Sequence, residues 1–200
     1  MAAALLVSAA AFALAGFREG PLPGMTGGFG EPTCNKCHFD QPLDDPAGAL
    51  GLHGVPRSYT PGRRYAITVE LVRSGLKRGG FELSARFADG QRAGRQAGTL
   101  TVAGDRLQIV TLPDGAVQYA QHTARGSVAS PPGALRWTMD WTAPAARGTV
   151  IFHTAGNASD DDASALGDFI YTAVARSGGA ASGQGRAGDA LQDRDRRPVR

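Results

Sequence analysis

The sequence has only two cysteines, Cys34 and Cys37. A disulfide between them would stabilise little, because that stabilisation grows with the length of the closed loop. A structural zinc site would need further ligands at typical spacing, and no third cysteine is present. No strand–helix–strand pattern surrounds the pair, which argues against a thioredoxin-like redox site. We therefore do not expect a structural disulfide, a zinc site or a thioredoxin-like redox site at these two cysteines.

Charged residues are also scarce, at 20% of the chain. The net charge of +3 arises from residue 176 onward, where six arginines stand against three aspartates, so the body is formally neutral. A neutral body argues against a nucleic-acid surface. No segment has the pattern of an amphipathic helix, and no serine-hydrolase or phosphate-loop motif is present. We expect an electron carrier or binding protein rather than an enzyme.

Long apolar runs are confined to residues 2–15. This run is too short to span a bilayer, and it ends in Ala13-Leu14-Ala15, a small-x-small cleavage pattern. We predict a signal peptide at residues 1–15 and an exported chain, periplasmic or extracellular, with no integral membrane segment. A buried N-terminal helix is the alternative.

Glycine and proline are abundant, with 28 and 12 copies, and they crowd residues 16–61. This density of glycine and proline predicts an irregular lobe without regular strands or helices. The exception is a short helical turn near Cys34, which Thr33 could cap.

Beyond residue 62, apolar and polar residues alternate with a period of two at residues 65–71, 81–87 and 135–141, which predicts a strand in each segment. Between the turn signals we expect further strands at residues 98–102, 107–112, 117–122, 149–154 and 169–175. Short strands separated by turn signals indicate an all-β fold, an antiparallel β-sandwich of immunoglobulin-like or reelin-like type with about seven to nine strands. We assign residues 62–176 to this sandwich and expect residues 177–200 to be a disordered Arg/Gly-rich tail.

The two cysteines belong to the motif Cys34-Asn35-Lys36-Cys37-His38. Its C-x-x-C-H pattern is the attachment signal for haem in c-type cytochromes. The two thiols can form thioethers with one porphyrin, and the adjacent imidazole can bind the iron. We therefore predict one covalent haem c per chain, held by Cys34 and Cys37, with His38 as the proximal iron ligand.

The distal iron ligand is left open by the sequence. We favour His122, at the end of a predicted strand, and take His53, close to the motif, as the alternative distal ligand. Met25, Met139 and His153 are weaker candidates, since Met139 shares a strand face with two tryptophans that we expect in the core. An open sixth position is a further alternative.

The chain resembles the choice-of-anchor V family, a Reeler-like domain of secreted bacterial proteins. The residues that carry the resemblance are Gly28-Phe29-Gly30-Glu31-Pro32-Thr33-Cys34 with Cys37-His38, Tyr59-Thr60-Pro61-Gly62, Phe81-Glu82-Leu83, His122-Thr123, Trp137-Thr138-Met139-Asp140-Trp141-Thr142-Ala143-Pro144, Ala155-Gly156-Asn157-Ala158 and Gly167-Asp168-Phe169-Ile170-Tyr171-Thr172. The resemblance implies a reelin-type sandwich that carries a C-x-x-C-H loop. Members of the family often continue into a C-terminal anchor, whereas residues 177–200 contain no apolar segment.

Two functional classes follow from these patterns. The first is one-electron transfer to a redox partner protein in the periplasm or outside the cell. The alternative is a secreted interaction or adhesion module that binds another exported protein, with a haem that is structural or senses gas or redox state. Asp160, Asp161 and Asp162, near Asn157 and Asp168, could also offer oxygen ligands to calcium, but we favour a solvated loop there.

Overall fold

The computed structural model describes residues 18–112 and 116–179. The predicted signal peptide and residues 180–200 of the predicted tail lie outside this part of the chain. The described residues form ten strands, β1 Gly48–His53, β2 Ser58–Tyr59, β3 Arg64–Arg73, β4 Arg78–Phe87, β5 Thr99–Thr101, β6 Leu107–Thr111, β7 Gln118–His122, β8 Ala134–Thr142, β9 Thr149–Ser159 and β10 Phe169–Gly179. They also form three short 3₁₀ helices, η1 Cys34–Lys36, η2 Gly90–Arg92 and η3 Arg125–Ser127. Within the same residues, no helix is long and apolar enough to cross a membrane.

The strands make two sheets, with the orders β1-β3-β8-β5 and β2-β10-β9-β4-β7-β6. Their pairings are antiparallel, except that the short β2 runs parallel to the end of β10. The β-sandwich is thus confirmed, and each of the eight predicted strands is present.

The core forms where the apolar faces of the two sheets meet. In the β3–β8 pair, Ile67 faces Met139 and Val69 faces Trp137, and all four side chains are buried. The indole N–H groups of Trp137 and Trp141 donate to the carbonyls of Gly126 and Ala97, both at 2.8 Å. Burial of each large apolar side chain contributes about 1.5–3 kcal/mol. The predicted core positions of Met139 and the two tryptophans are confirmed.

The prediction that residues 16–61 contain no strand is wrong, because β1 and β2 lie there. Each is an edge strand, where weak strand formers are tolerated because only one neighbour must be paired. Gly48 also lies so close to the Tyr171 hydroxyl that a Cβ would overlap it. The sheets therefore begin before the predicted boundary at residue 62, and β10 continues past the predicted boundary at residue 177.

A third layer covers the outward face of the six-stranded sheet. This N-terminal lobe, residues 18–47, crosses β7, β4, β9 and β10 in turn. Its contacts run from Pro21, whose carbonyl accepts a 3.0 Å hydrogen bond from Gln121, to Asp44, whose N–H donates to Ile170 at 2.9 Å. The lobe buries the polar face of β4, so both faces of this strand are covered although its alternating pattern is typical of a half-buried strand.

Candidate functional site

The Cys34–His38 segment is one compact turn that its own backbone stabilises. Thr33 caps η1, since its hydroxyl accepts the Asn35 N–H at 3.2 Å. The N–H groups of Cys37 and His38 both donate to the Cys34 carbonyl, at 3.2 and 3.1 Å. The predicted turn and its threonine cap are confirmed, and the turn is of the 3₁₀ type.

The two thiols of this turn are unpaired and differ in their surroundings. Cys37 is exposed, whereas Cys34 is only partly exposed. Burial, together with the negative charge of Glu82, raises the pKa of the Cys34 thiol to about 12. Cys34 is therefore a neutral thiol at physiological pH.

His38 is docked on the sheet by a buried carboxylate. Its Nδ1 lies 2.9 Å from Oδ2 of Asp168, whose side chain is only 3% exposed. The amide of Asn157 donates to the same oxygen at 2.9 Å and lies 3.4 Å from both ring nitrogens of His38. Because a carboxylate only accepts, Nδ1 carries a proton, and in the neutral imidazole the lone pair is therefore on Nε2. This is the arrangement that a metal-binding imidazole normally needs.

These residues fit the donor set for a covalent haem. Two free thiols and an imidazole with a lone pair on Nε2 stand on one turn. The Oδ1 atoms of Asn157 and Asp168 are buried beside His38 and have no hydrogen-bond partner among the described residues. No three His, Cys, Asp or Glu side chains of residues 18–112 and 116–179 converge as a metal site.

His122 ends β7, and one strand, β4, separates β7 from β9, where Asn157 lies beside His38. The His122 ring packs on Gly80, and Gly80 pairs directly with Asn157 across the β4–β9 ladder. The Phe81 N–H donates to His122 Nδ1 at 3.1 Å, which puts the ring proton on Nε2. Iron ligation through Nε2 would require the other tautomer, with Nδ1 donating to the Phe81 carbonyl, now 3.4 Å away. His122 as distal ligand stays a prediction.

His53 does not lie beside this turn, and its role as the alternative distal ligand stays a prediction. It ends β1 in the four-stranded sheet, where its Nε2 lies 3.1 Å from Oε2 of Glu70 on the exposed outward face. His38 lies on the outward face of the other sheet, so the core of the sandwich separates the two imidazoles.

The weaker candidates are placed elsewhere. Met139 is in the core, and the Met25 backbone N–H donates to Glu82. His153 lies beneath the lobe in an edge contact with Phe29, with ring centroids 5.5 Å apart. Burial lowers the pKa of His153, and the charge of Arg86 lowers it further, so this imidazole is neutral near pH 7.

A buried polar cluster that the sequence reasoning missed fastens the lobe to the sheet. Glu31 of the lobe binds the Arg86 guanidinium and accepts a 2.6 Å hydrogen bond from the Tyr119 hydroxyl. Glu82 accepts the Gly24 N–H at 3.1 Å and the Gln121 amide at 2.7 Å. Glu82 and Arg86 occupy the polar positions of an alternating strand, and no local signal shows that a separate segment covers that face.

Burial raises the pKa of Glu82 to about 7, although its hydrogen bonds act in the opposite direction. For Glu31, burial acts to raise the pKa, but hydrogen bonds from Thr26, Tyr119 and Arg86 hold it below the ordinary value. The pKa values of these two carboxyl groups are therefore shifted in opposite directions, so ionisation of Glu31 favours the folded chain and ionisation of Glu82 disfavours it.

Exposed apolar side chains follow the Cys34–His38 turn in the chain and occupy the loop before β10. Phe39 is 68% exposed, Leu166 54% and Leu43 46%. The Gly167 N–H donates to the Asp40 carboxylate at 2.8 Å, which ties the segment after the turn to the loop before β10. Apolar surface next to a candidate cofactor site is what a bound group or a partner would cover.

The aspartates considered for calcium do not converge. Asp161 accepts the Arg78 Nε–H at 2.7 Å, while Asp160 and Asp162 accept backbone N–H groups of their own loop. Asp168 faces His38 instead. The loop is exposed, as the favoured interpretation expected.

No protein-family model and no curated protein sequence matches this chain. Among solved structures, the human F-spondin reeler domain is 18% identical over 70% of this chain and 95% of that chain, with a TM-score of 0.46. The Reelin-N domain of F-spondin is 17% identical over 74% and 97%, with a TM-score of 0.45. The sandwich is similar to reeler domains.

A cohesin module from the family 33 glycoside hydrolase of Clostridium perfringens ATCC13124 is 11% identical over 66% of this chain and 96% of that chain, with a TM-score of 0.44. At such identities, these similarities concern the arrangement of strands and give no information about the turn that carries the cysteines. Membership of the choice-of-anchor V family stays a prediction.

Proposed function

We propose that this chain is an exported protein that carries one covalent haem c on the Cys34–His38 turn and exchanges single electrons with another exported protein. The observation that carries the proposal is the turn itself. It presents two unpaired thiols and an imidazole whose Nδ1 is held by the buried Asp168, on a turn that contacts β9.

Each residue of the site would have a distinct role in holding the haem. Cys34 and Cys37 would hold the porphyrin through thioethers, and His38 Nε2 would bind the iron. Asp168 and Asn157 orient the imidazole, and the lobe fixes the turn on a rigid sheet. When bound, the haem would supply the one-electron couple.

The remaining support comes from the sequence and from the surface. The apolar run at residues 2–15 favours export, which is where haem is attached to such motifs in bacteria. The similarity to reeler domains is compatible with a protein that works outside the cytoplasm. Phe39, Leu43 and Leu166 would line the contact with a partner beside the haem edge.

The proposal is tested by co-expression of the chain with c-type haem maturation proteins. We expect a haem that survives denaturation and a spectrum that cycles reversibly between oxidised and reduced forms. Cys34→Ser and Cys37→Ser should each remove one thioether, and the double variant should lose covalent haem. His53→Ala, on the opposite face of the sandwich, should load normally. Absence of covalent haem from the unaltered chain would overturn the proposal.

A second candidate is an exported interaction module in which the haem is structural or sensory. The exposed apolar side chains around the turn favour it, since they would suit a protein contact regardless of redox chemistry. The spectrum of the loaded protein separates the two. A low-spin haem that cycles reversibly supports electron transfer, whereas a high-spin haem whose spectrum shifts with carbon monoxide supports sensing.

A further inference from the structure

We propose that Asp168 is the positioning residue of His38. It would hold the imidazole as the Nδ1–H tautomer and give it partial anionic character, which lowers the reduction potential of an iron bound at Nε2. The statement about potential rests on the proposed function, whereas the statement about the tautomer concerns the chain alone.

The geometry points to a strong, directed contact. Oδ2 of Asp168 lies 2.9 Å from His38 Nδ1, and the Asp168 side chain is almost fully buried. Hydrogen bonds to carboxylates are about twice as strong as neutral ones, and a poorly solvated site strengthens them further. The orientation of the ring is therefore set by a group from the other end of the chain.

Little else compensates the charge of this carboxylate. The Asn157 amide also donates to this carboxylate, at 2.9 Å. The Oδ1 atom of Asp168 is buried and has no hydrogen-bond partner among the described residues. Within those residues, the nearby arginines pair elsewhere, Arg73 with Asp45 and Arg78 with Asp161. The negative charge thus acts mainly on the imidazole.

The fold explains why these groups meet. Asp168 stands directly before β10, and Asn157 lies on β9, where it pairs with Ile170. Adjacent strands therefore bring the amide and the carboxylate to one point beneath the turn. A more basic imidazole donates more electron density to iron and favours the ferric state.

Asp168→Asn tests the proposal, because it keeps the shape of the side chain and removes its charge. In the haem-free chain at fixed pH, long-range ¹H–¹⁵N spectra should show the Nδ1–H tautomer of His38 in the unaltered protein and a mixture in the variant. In the loaded chain, the variant should favour ferrous iron about tenfold more, a potential about 59 mV higher for a one-electron couple.

Two further variants make the test specific. Asp160→Asn removes the same charge from an exposed loop residue and should change neither the tautomer nor the potential. Asn157→Ala removes the competing donor to Asp168, so the potential should shift in the opposite direction, and this variant remains informative if Asp168→Asn does not fold.

Unchanged tautomer and potential in both Asp168→Asn and Asn157→Ala would overturn the proposal, as would equal shifts in Asp160→Asn. If Asp168→Asn changes the tautomer of His38 but the unaltered chain attaches no haem, the positioning role is supported and the proposed function is refuted.

Discussion

At the scale of single residues, the two cysteines of the turn differ in their access to solvent. Cys37 is exposed, while burial raises the pKa of Cys34 to about 12. Because the thiolate is the reactive form, iodoacetamide at pH 8 should modify Cys37 about 100-fold or more faster than Cys34 in the folded, haem-free chain. Mass spectrometry of the labelled peptides measures both rates.

The single variants Cys34→Ser and Cys37→Ser provide the control. Cys34 alone should resist labelling until urea opens the lobe, whereas Cys37 alone should react at once. Fast labelling of Cys34 in the native chain would contradict its burial.

At the scale of the element, β4 is packed on both faces, and Gly80 is where its backbone is approached most closely. A Cβ at Gly80 would overlap the ring of His122, which the Phe81 N–H holds in place. Overpacking of this kind costs about 1–3 kcal/mol. Gly80→Ala should therefore lower the free energy of unfolding by that amount, as measured by urea denaturation.

Gly178→Ala on β10 is the matched control. Gly178 also lies in a strand, but an added Cβ would meet only the Arg57 carbonyl, at 3.8 Å. This variant should retain the stability of the unaltered chain within about 0.5 kcal/mol. Equal effects of the two substitutions would show that general strand propensity, and not the His122 contact, decides the result.

At the scale of the whole molecule, stability should depend on pH through the cluster that joins the lobe to the sheet. Burial raises the pKa of Glu82 to about 7 from 4.5, so the folded chain holds this proton more tightly than the unfolded chain. Glu82 should therefore make the free energy of unfolding fall as pH rises from about 4.5 to about 7. The loss should be on the order of 1–3 kcal/mol.

Glu31 and His153 change the free energy of unfolding with pH in the opposite direction. The lowered pKa values of Glu31 and His153 mean that their contributions are lost as pH falls. A comparison with Glu82→Gln isolates the effect, because the variant keeps those groups. The stability of Glu82→Gln relative to the unaltered chain should increase between pH 4.5 and pH 7.5. A difference that does not vary with pH would show that Glu82 does not titrate in this range.

Much of the fold could be predicted from local pattern, but the site could be predicted only in part. Alternation predicted the strands at residues 65–71, 81–87 and 135–141, since a half-buried strand needs an apolar residue at every second position. Turn signals between apolar segments indicated the other five. The Cys34–His38 motif and its Thr33 cap were also visible, because both depend on neighbours within a few residues. The edge strand β1 was missed, since pairing with β3 overrides its glycine content.

The strand pattern, the apolar core and the residue types of the turn follow from the order of the amino acids. The packing of layers is what carries the lobe across the outward face of the six-stranded sheet and buries Glu82 and Arg86. The same packing brought Asp168 to His38 and kept His53 away. These contacts join residues far apart in the chain, so they depend on sheet order and layer packing, which local periodicity does not encode.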